Sequence, residues 1–247
     1  MSLLQINQHI EDATNQKIKN LLPNDFVNSL TRMVLVNAVH FRAKWQFPFD
    51  VNQTHSGKFY PPNDSIDVQF MSRLAYVRVL DDKERKLEIL ELPYKHPNRS
   101  MLIVLPYAGT HMENLAKKIE GLDLASVRSN GWPTRTNITI PKFELNFKTD
   151  LKEKMEQLGV RDLFSRSADL SGISNEGLFA SKGVHQAFIE VNEEGTEAAA
   201  ATAVALIGRS AFRPRQFLAD RPFVFIVYDF KHETTLFAGK VVDPSIP

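Results

Sequence analysis

The sequence predicts an α+β fold in which long strands form more than one sheet and helices pack on them. Three observations carry that expectation. Most of the chain between Met33 and Phe147 is a succession of β-branched and aromatic runs. Helical periodicity is confined to a few short stretches. Near the C-terminus, two strongly apolar runs are separated by a turn-sized polar interval.

The first element is INQHIEDATNQKIKNLL, in which Ile6, Ile10, Ala13, Ile18 and Leu22 recur at helical spacings and Pro23 is the expected stop. MVLVNAVHF, residues 33–41, reads as a buried strand that extends towards Trp45. Further strands are expected over 68–79, 86–92, 101–106 and 137–147. They are punctuated by the helical MENLAKKIEGL and the turn clusters HPNRS and SNGWP. Thr149 or Asp150 caps a helix reaching Leu158. A strand over 184–191 follows, and 223–230 and 235–242 form the closing hairpin around KHET. No repeat, low-complexity linker or charge block divides the chain, so one domain over 1–247 is expected.

Composition narrows the function classes. With 43% hydrophobic and 24% charged residues the chain can bury a sizeable core. Its net charge of +1 gives no nucleic-acid or anionic-membrane footprint. Cysteine is absent, which excludes disulfides and thiolate chemistry. The signatures GxGxxG, GxxxxGK[ST] and GxSxG are missing, and His232-Glu233 lacks the second histidine of a zinc-protease helix. These residues argue for no catalytic site and leave a triad assembled in space open, and the expectation is no enzyme, metal or cofactor. Sequons at Asn52, Asn63, Asn98 and Asn137 are candidate glycosylation sites and point towards secretion.

One segment resists this element-by-element reading. EEGTEAAAATAVALIGRS, residues 193–210, has the alanine content of a helix but lacks a polar face, and Gly195 precedes the alanine run. Composition alone favours a buried helix. As a strand, Thr196, Ala198, Ala200 and Thr202 would share one face, and Glu197, Ala199 and Ala201 the other. The segment ends in a lone cation, Arg209, fourteen residues after Gly195.

FIEVNEEGTEAAAATAVALIGRS, with the following FLADRPFVFIVYDFKHETTLFAGKVVDPS, closely resembles the reactive-centre region and C-terminal strands of the serpins. LTRMVLVNAVHFRAKWQFPFD, ITIPKFELNF and ADLSGIS extend the resemblance over essentially the whole chain. It implies a serpin-like fold: a large central mixed sheet, further sheets with packed helices, and an exposed reactive-centre loop over about 194–216. The first helix resembles the family's sixth, so an N-terminally incomplete serpin domain is expected.

The resemblance also implies a function. A protease cuts the loop and becomes trapped when the freed segment inserts into the central sheet as a new strand, a reaction used as a standard illustration of strand addition and stored strain. The implied reactive bond is Arg209-Ser210, which makes the partner a trypsin-like serine protease whose pocket carboxylate binds the guanidinium. The implied hinge is Glu193, Glu194, Gly195, Thr196, Glu197, Ala198, Ala199, Ala200, Ala201 and Thr202. Thr196 is expected to be the first side chain to enter the core on insertion. Asn37 and His185 match a hydrogen-bonded shutter pair, Lys142 and Glu193 a salt bridge, and Trp45 the aromatic beside it at the breach. Extracellular location and self-association through an exposed sheet edge are further expectations. The alternative is a non-inhibitory truncated serpin that acts as a protease substrate or as a binding or carrier protein.

Overall fold

The computed structural model describes residues 2–62, 64–110, 115–196 and 213–246. Its strands are β1 (Met33–Phe41), β2 (His55–Phe59), β3 (Ile66–Val77), β4 (Val79–Asp82), β5 (Leu87–Pro93), β6 (Arg99–Pro106), β7 (Thr134–Pro141), β8 (Phe143–Asp150), β9 (Ala180–Val191), β10 (Arg215–Leu218), β11 (Phe223–Asp229) and β12 (Thr234–Val241). The helices are α1 (Leu3–Ala13), α2 (Leu115–Ile119), α3 (Ser126–Ser129) and α4 (Leu151–Gln157). Among the described residues no helix is long and apolar enough to cross a membrane. The chain divides into two compact units, residues 1–40 with 145–189, and residues 41–144 with 190–247.

In the first unit, α1 opens on a capping box: the Ser2 hydroxyl accepts from the Gln5 N–H, and the Gln5 side chain accepts from the Ser2 N–H. The helix ends well short of Pro23. Thr14 turns its hydroxyl back to the Ile10 carbonyl at 2.7 Å, and Asn15, Gln16 and Asn20 take positive φ angles, which short polar side chains tolerate best. Ile18, Leu21 and Leu22 are nevertheless buried, packing with Ile10 against Val184 and Phe188. The predicted apolar periodicity thus found core positions beyond the helix itself.

The sheet of this unit has the order β1-β9-β8. Val36 and Ala38 of β1 join Val184 and Phe188 of β9 in the core beneath α1. Alternation along each strand then places Asn37 and His185 on the opposite face. Asp150 caps α4, its carboxylate accepting from the Glu153 N–H.

The second unit contains two sheets. The four-stranded sheet has the order β10-β7-β3-β2, with β10 parallel to β7 and both other pairings antiparallel. The five-stranded sheet is antiparallel throughout, in the order β12-β11-β6-β5-β4. Leu87, Ile89, Leu102, Val104 and Ile226 form its fully buried face with Leu115 and Val127. The run expected as one strand over 137–147 is two, because β7 ends at Pro141 and Lys142 directs its N–H to the Gln69 carbonyl.

The loop boundaries also need correction. Arg215 and Gln216, counted within a loop over 194–216, are instead paired with Thr136 and Asn137 in β10. Parallel pairing to β7 claims their backbone before the loop can. Hinge residues Glu197, Ala198, Ala199, Ala200, Ala201 and Thr202, the bond Arg209-Ser210 and the sequon residue Asn63 lie outside the described residues.

Candidate functional site

The described part of the hinge, Glu193–Thr196, is held in the second unit by backbone groups of the segment that continues β1. Trp45 N–H donates to the Glu194 carbonyl at 2.9 Å, Phe49 N–H to the Glu193 carbonyl at 2.7 Å, and Thr196 N–H to the Ala43 carbonyl at 2.6 Å. Lys44 and Gly195 face each other in an antiparallel bridge. Gly195 has φ +146°, and a Cβ there would lie 2.2 Å from the Ala43 oxygen. Only glycine allows so close an approach.

Aromatic rings form the walls of the site. Trp45 stacks on Tyr94 with centroids 4.7 Å apart and planes 7° from parallel, and Phe41 meets the Tyr94 ring edge-on. The Trp45 indole N–H donates to the Asn192 carbonyl at 2.9 Å, which ties the aromatic wall to the end of β9. Inside this wall the Tyr94 hydroxyl shares a hydrogen bond with the Thr196 hydroxyl at 3.0 Å. Burial pushes the Tyr94 phenol above its ordinary range, against a smaller opposing effect of the Thr196 bond, so it stays protonated at neutral pH.

Glu193 supplies the charge. Its two carboxylate oxygens accept from the Thr54 hydroxyl at 2.7 Å and pair with Lys142 Nζ at 3.0 Å. Burial by itself would raise this carboxyl, but the bonds from Thr54, its own backbone N–H and Lys142, with the Lys142 charge, outweigh it and hold the group below the usual carboxylate range. The structure thus joins Glu193 to Lys142 and brings Trp45 against the neighbouring Glu194 backbone.

Two expectations are corrected here. Thr196 was expected to be the first side chain to enter the core on insertion, and it is already 0% exposed. The cause is local: its N–H and its hydroxyl both have partners inside the site. The second correction concerns Asn37 and His185, which form no hydrogen bond with each other. Asn37 is exposed, while His185 Nδ1 is buried with no partner among the described residues. Sharing a sheet face does not by itself join them.

Tyr94, Thr54 and Asn192 were missed from the sequence. Tyr94 carried a faint signal as an aromatic with a polar handle at the end of a predicted strand. Thr54 and Asn192 gave none, since their roles depend on which distant backbone they meet. Beyond the loop, Arg215 pairs with Glu88 at 2.6 Å, which anchors the start of β10. Of the sequons, Asn52 and Asn98 are exposed, whereas the Asn137 side chain bonds Gln216 across the β7–β10 pair. Among the described residues no group of three His, Cys, Asp or Glu side chains is placed to hold a metal ion.

Comparison with known proteins gives the site a context. Residues 2–244 match the family described as "Serpin (serine protease inhibitor)". A "Serine protease inhibitor" of Cyanea capillata is 36% identical over 252 aligned positions, covering 98% of this chain and 65% of that protein. Among solved structures, Serpin48 of the insect Tenebrio molitor is 34% identical with TM-score 0.84, covering 98% of this chain and 64% of that one. Human thyroxine-binding globulin is 30% identical with TM-score 0.85, at coverages of 98% and 63%. The chain spans less than two thirds of the length of each.

Proposed function

Because the chain belongs to the serpin family, we propose that it inhibits a trypsin-like serine protease as a single-use substrate. In this reading the protease attacks the Arg209-Ser210 bond and forms an acyl-enzyme on Arg209. The segment from Thr196 onward then inserts between β1 and β9, and the protease is carried away before hydrolysis completes.

One observation above all supports this reading. β1 and β9 are neighbours in their sheet, and the backbone just beyond β1 is paired with the backbone just beyond β9 at Lys44 and Gly195. Thr196, the last described residue of the hinge, is bonded to Ala43 just beyond the end of β1, where insertion between β1 and β9 would start. New ladder bonds over roughly ten residues, at about 1 kcal/mol net each, would supply on the order of 10 kcal/mol. The family's protease-inhibitor description is consistent with a protease partner. Arg209 is the feature that selects the trypsin-like class, since Pro214 follows Arg213 and Arg215 is engaged by Glu88.

The alternative is a non-inhibitory member, cleaved as a substrate or serving as a carrier. Its specific support is the similarity to thyroxine-binding globulin, whose printed name is that of a binding protein. Incubation with trypsin separates the two. Trapping gives an SDS-resistant band at the summed mass less the fragment released from Ser210 onward, with a cut after Arg209, while a substrate gives the cut without the band. An uncut loop, or a dominant cut after Arg215, overturns the assignment of the reactive bond. Secretion is part of the same proposal, with glycans at the exposed Asn52 and Asn98. Glycosidase-sensitive mass on chain from a secretory host is its test.

A further inference from the structure

The hinge site contains a hydroxyl pair with no evident role in holding strands together. The backbone bonds at Ala43, Trp45 and Phe49 already fix residues 193–196. Tyr94 and Thr196 nevertheless place their two hydroxyls 3.0 Å apart, on side chains that are respectively 2% and 0% exposed. A hydroxyl buried at such a point is unfavourable unless paired, because it gives up water without return. Each of these hydroxyls depends on the other.

We propose that Tyr94 is a positioning residue that sets how far the hinge is seated at rest, its hydroxyl pegging Thr196 in the aromatic socket before any protease arrives. This rests on the trapping reading of the same site. The peg seats the hinge through Thr196, so that insertion starts with this side chain already in place. Insertion competes with hydrolysis of the acyl-enzyme, so a hinge that has left its socket begins the race further back. The phenol ring and the hydroxyl do separate jobs. The ring stacks on Trp45 and touches Phe41, whereas the hydroxyl alone reads the position of Thr196. A hinge withdrawn by one residue would bring Gly195, which has no hydroxyl, to the phenol, and one advanced by a residue would bring Glu197, whose carboxylate carries a desolvation cost there that the neutral Thr196 avoids.

The test uses the 247-residue chain and the Thr196 amide, whose hydrogen bond to Ala43 is the direct measure of seating. Native-state hydrogen exchange is followed at that amide in Tyr94→Phe, Thr196→Val and the double variant. Each single variant keeps the shape of the site but strands one hydroxyl, and should speed exchange at Thr196 by about tenfold. The double variant removes both hydroxyls and should return exchange to within about threefold of the parent, since replacing both partners by apolar groups of like shape is nearly neutral. Amides of β5, β6 and β11 should be unchanged in all three, which separates unseating from loss of fold. With a trypsin-like protease, the number of inhibitor molecules consumed per protease trapped should rise in the singles and recover in the double, with the cut position unaltered.

The exchange arm stands apart from inhibition. Equal exchange in parent and singles, or a double variant at least as fast as the faster single, overturns the peg whether or not protease is trapped. The exchange pattern without any trapped protease supports the peg and sinks the trapping function instead.

Discussion

Two polar pairs in this chain were expected to control the same conformational change, and they have opposite fates. Glu193 finds Thr54 and Lys142, and Thr196 finds Tyr94 and Ala43. Asn37 and His185 find no bond with each other, although they occupy one sheet face. The difference lies in compulsion. Trp45, Tyr94, Glu193 and Thr196 are all buried, so every polar atom among them must pair inside the protein or bear its desolvation cost. Asn37 is exposed and is under no such constraint. Alternation along a strand can put two side chains on one face, but a bond between them is compelled only where both are buried, and His185 beside the exposed Asn37 keeps a buried, unpaired Nδ1 that bears that cost.

The hardest test of the hinge side is Gly195→Ala. The added methyl would overlap the Ala43 carbonyl and the Lys44 Cα, and the backbone angle itself is unfavourable for an L side chain. We expect a loss of about 3 kcal/mol or more, seen as a lower urea midpoint at unchanged slope. A change under 1 kcal/mol would mean that the Lys44–Gly195 approach is not maintained in solution.

A smaller effect is expected from Glu193→Gln. Gln can still accept from Thr54 but loses the charge facing Lys142, for about 2 kcal/mol. The pH dependence follows from the depressed carboxyl. A group whose folded pKa lies below its unfolded value contributes stability above the unfolded value and loses it as pH falls towards the folded one. The parent should therefore weaken as pH drops below about 4.5, its ordinary value. Glu193→Gln should show a shallower acid limb in that window. Parallel limbs would remove Glu193 from the account of acid sensitivity.

Much of this was legible in the sequence, for identifiable reasons. β1, β5, β6, β11 and β12 were readable from their β-branched and apolar runs, and of these β5, β6 and β11 are largely buried whereas β12 is mostly exposed. β2 and β10 were missed because HSGKF and RQFL have no such pattern, and only their partners β3 and β7 make them strands. The same divide runs through the site. Glu193, Lys142 and Trp45 were placed by resemblance, and Gly195 also by its missing side chain. Tyr94 and Thr54 take their roles from segments about a hundred residues or more away in sequence, a relation that local periodicity does not encode. The seating of Thr196 was missed for a related reason, since a strand pattern specifies which face a residue shares but not how far along a seam it has entered.

The smallest effect sharpens the comparison from its weaker side. Asn37→Ala removes an exposed amide that bonds nothing on His185, so stability should change by no more than about 0.5 kcal/mol. His185→Phe removes the buried Nδ1 that has no partner while keeping a ring of related size. On the same reasoning it should be neutral or stabilising by up to about 1 kcal/mol, because an unpaired buried polar atom is a cost rather than a contact. The two substitutions should also be additive, since no bond couples them. A coupling of 1 kcal/mol or more in the double-mutant cycle, measured by urea unfolding, would mean that the pair bonds in solution after all, and that burial is not what distinguishes the hinge pairs from Asn37 and His185.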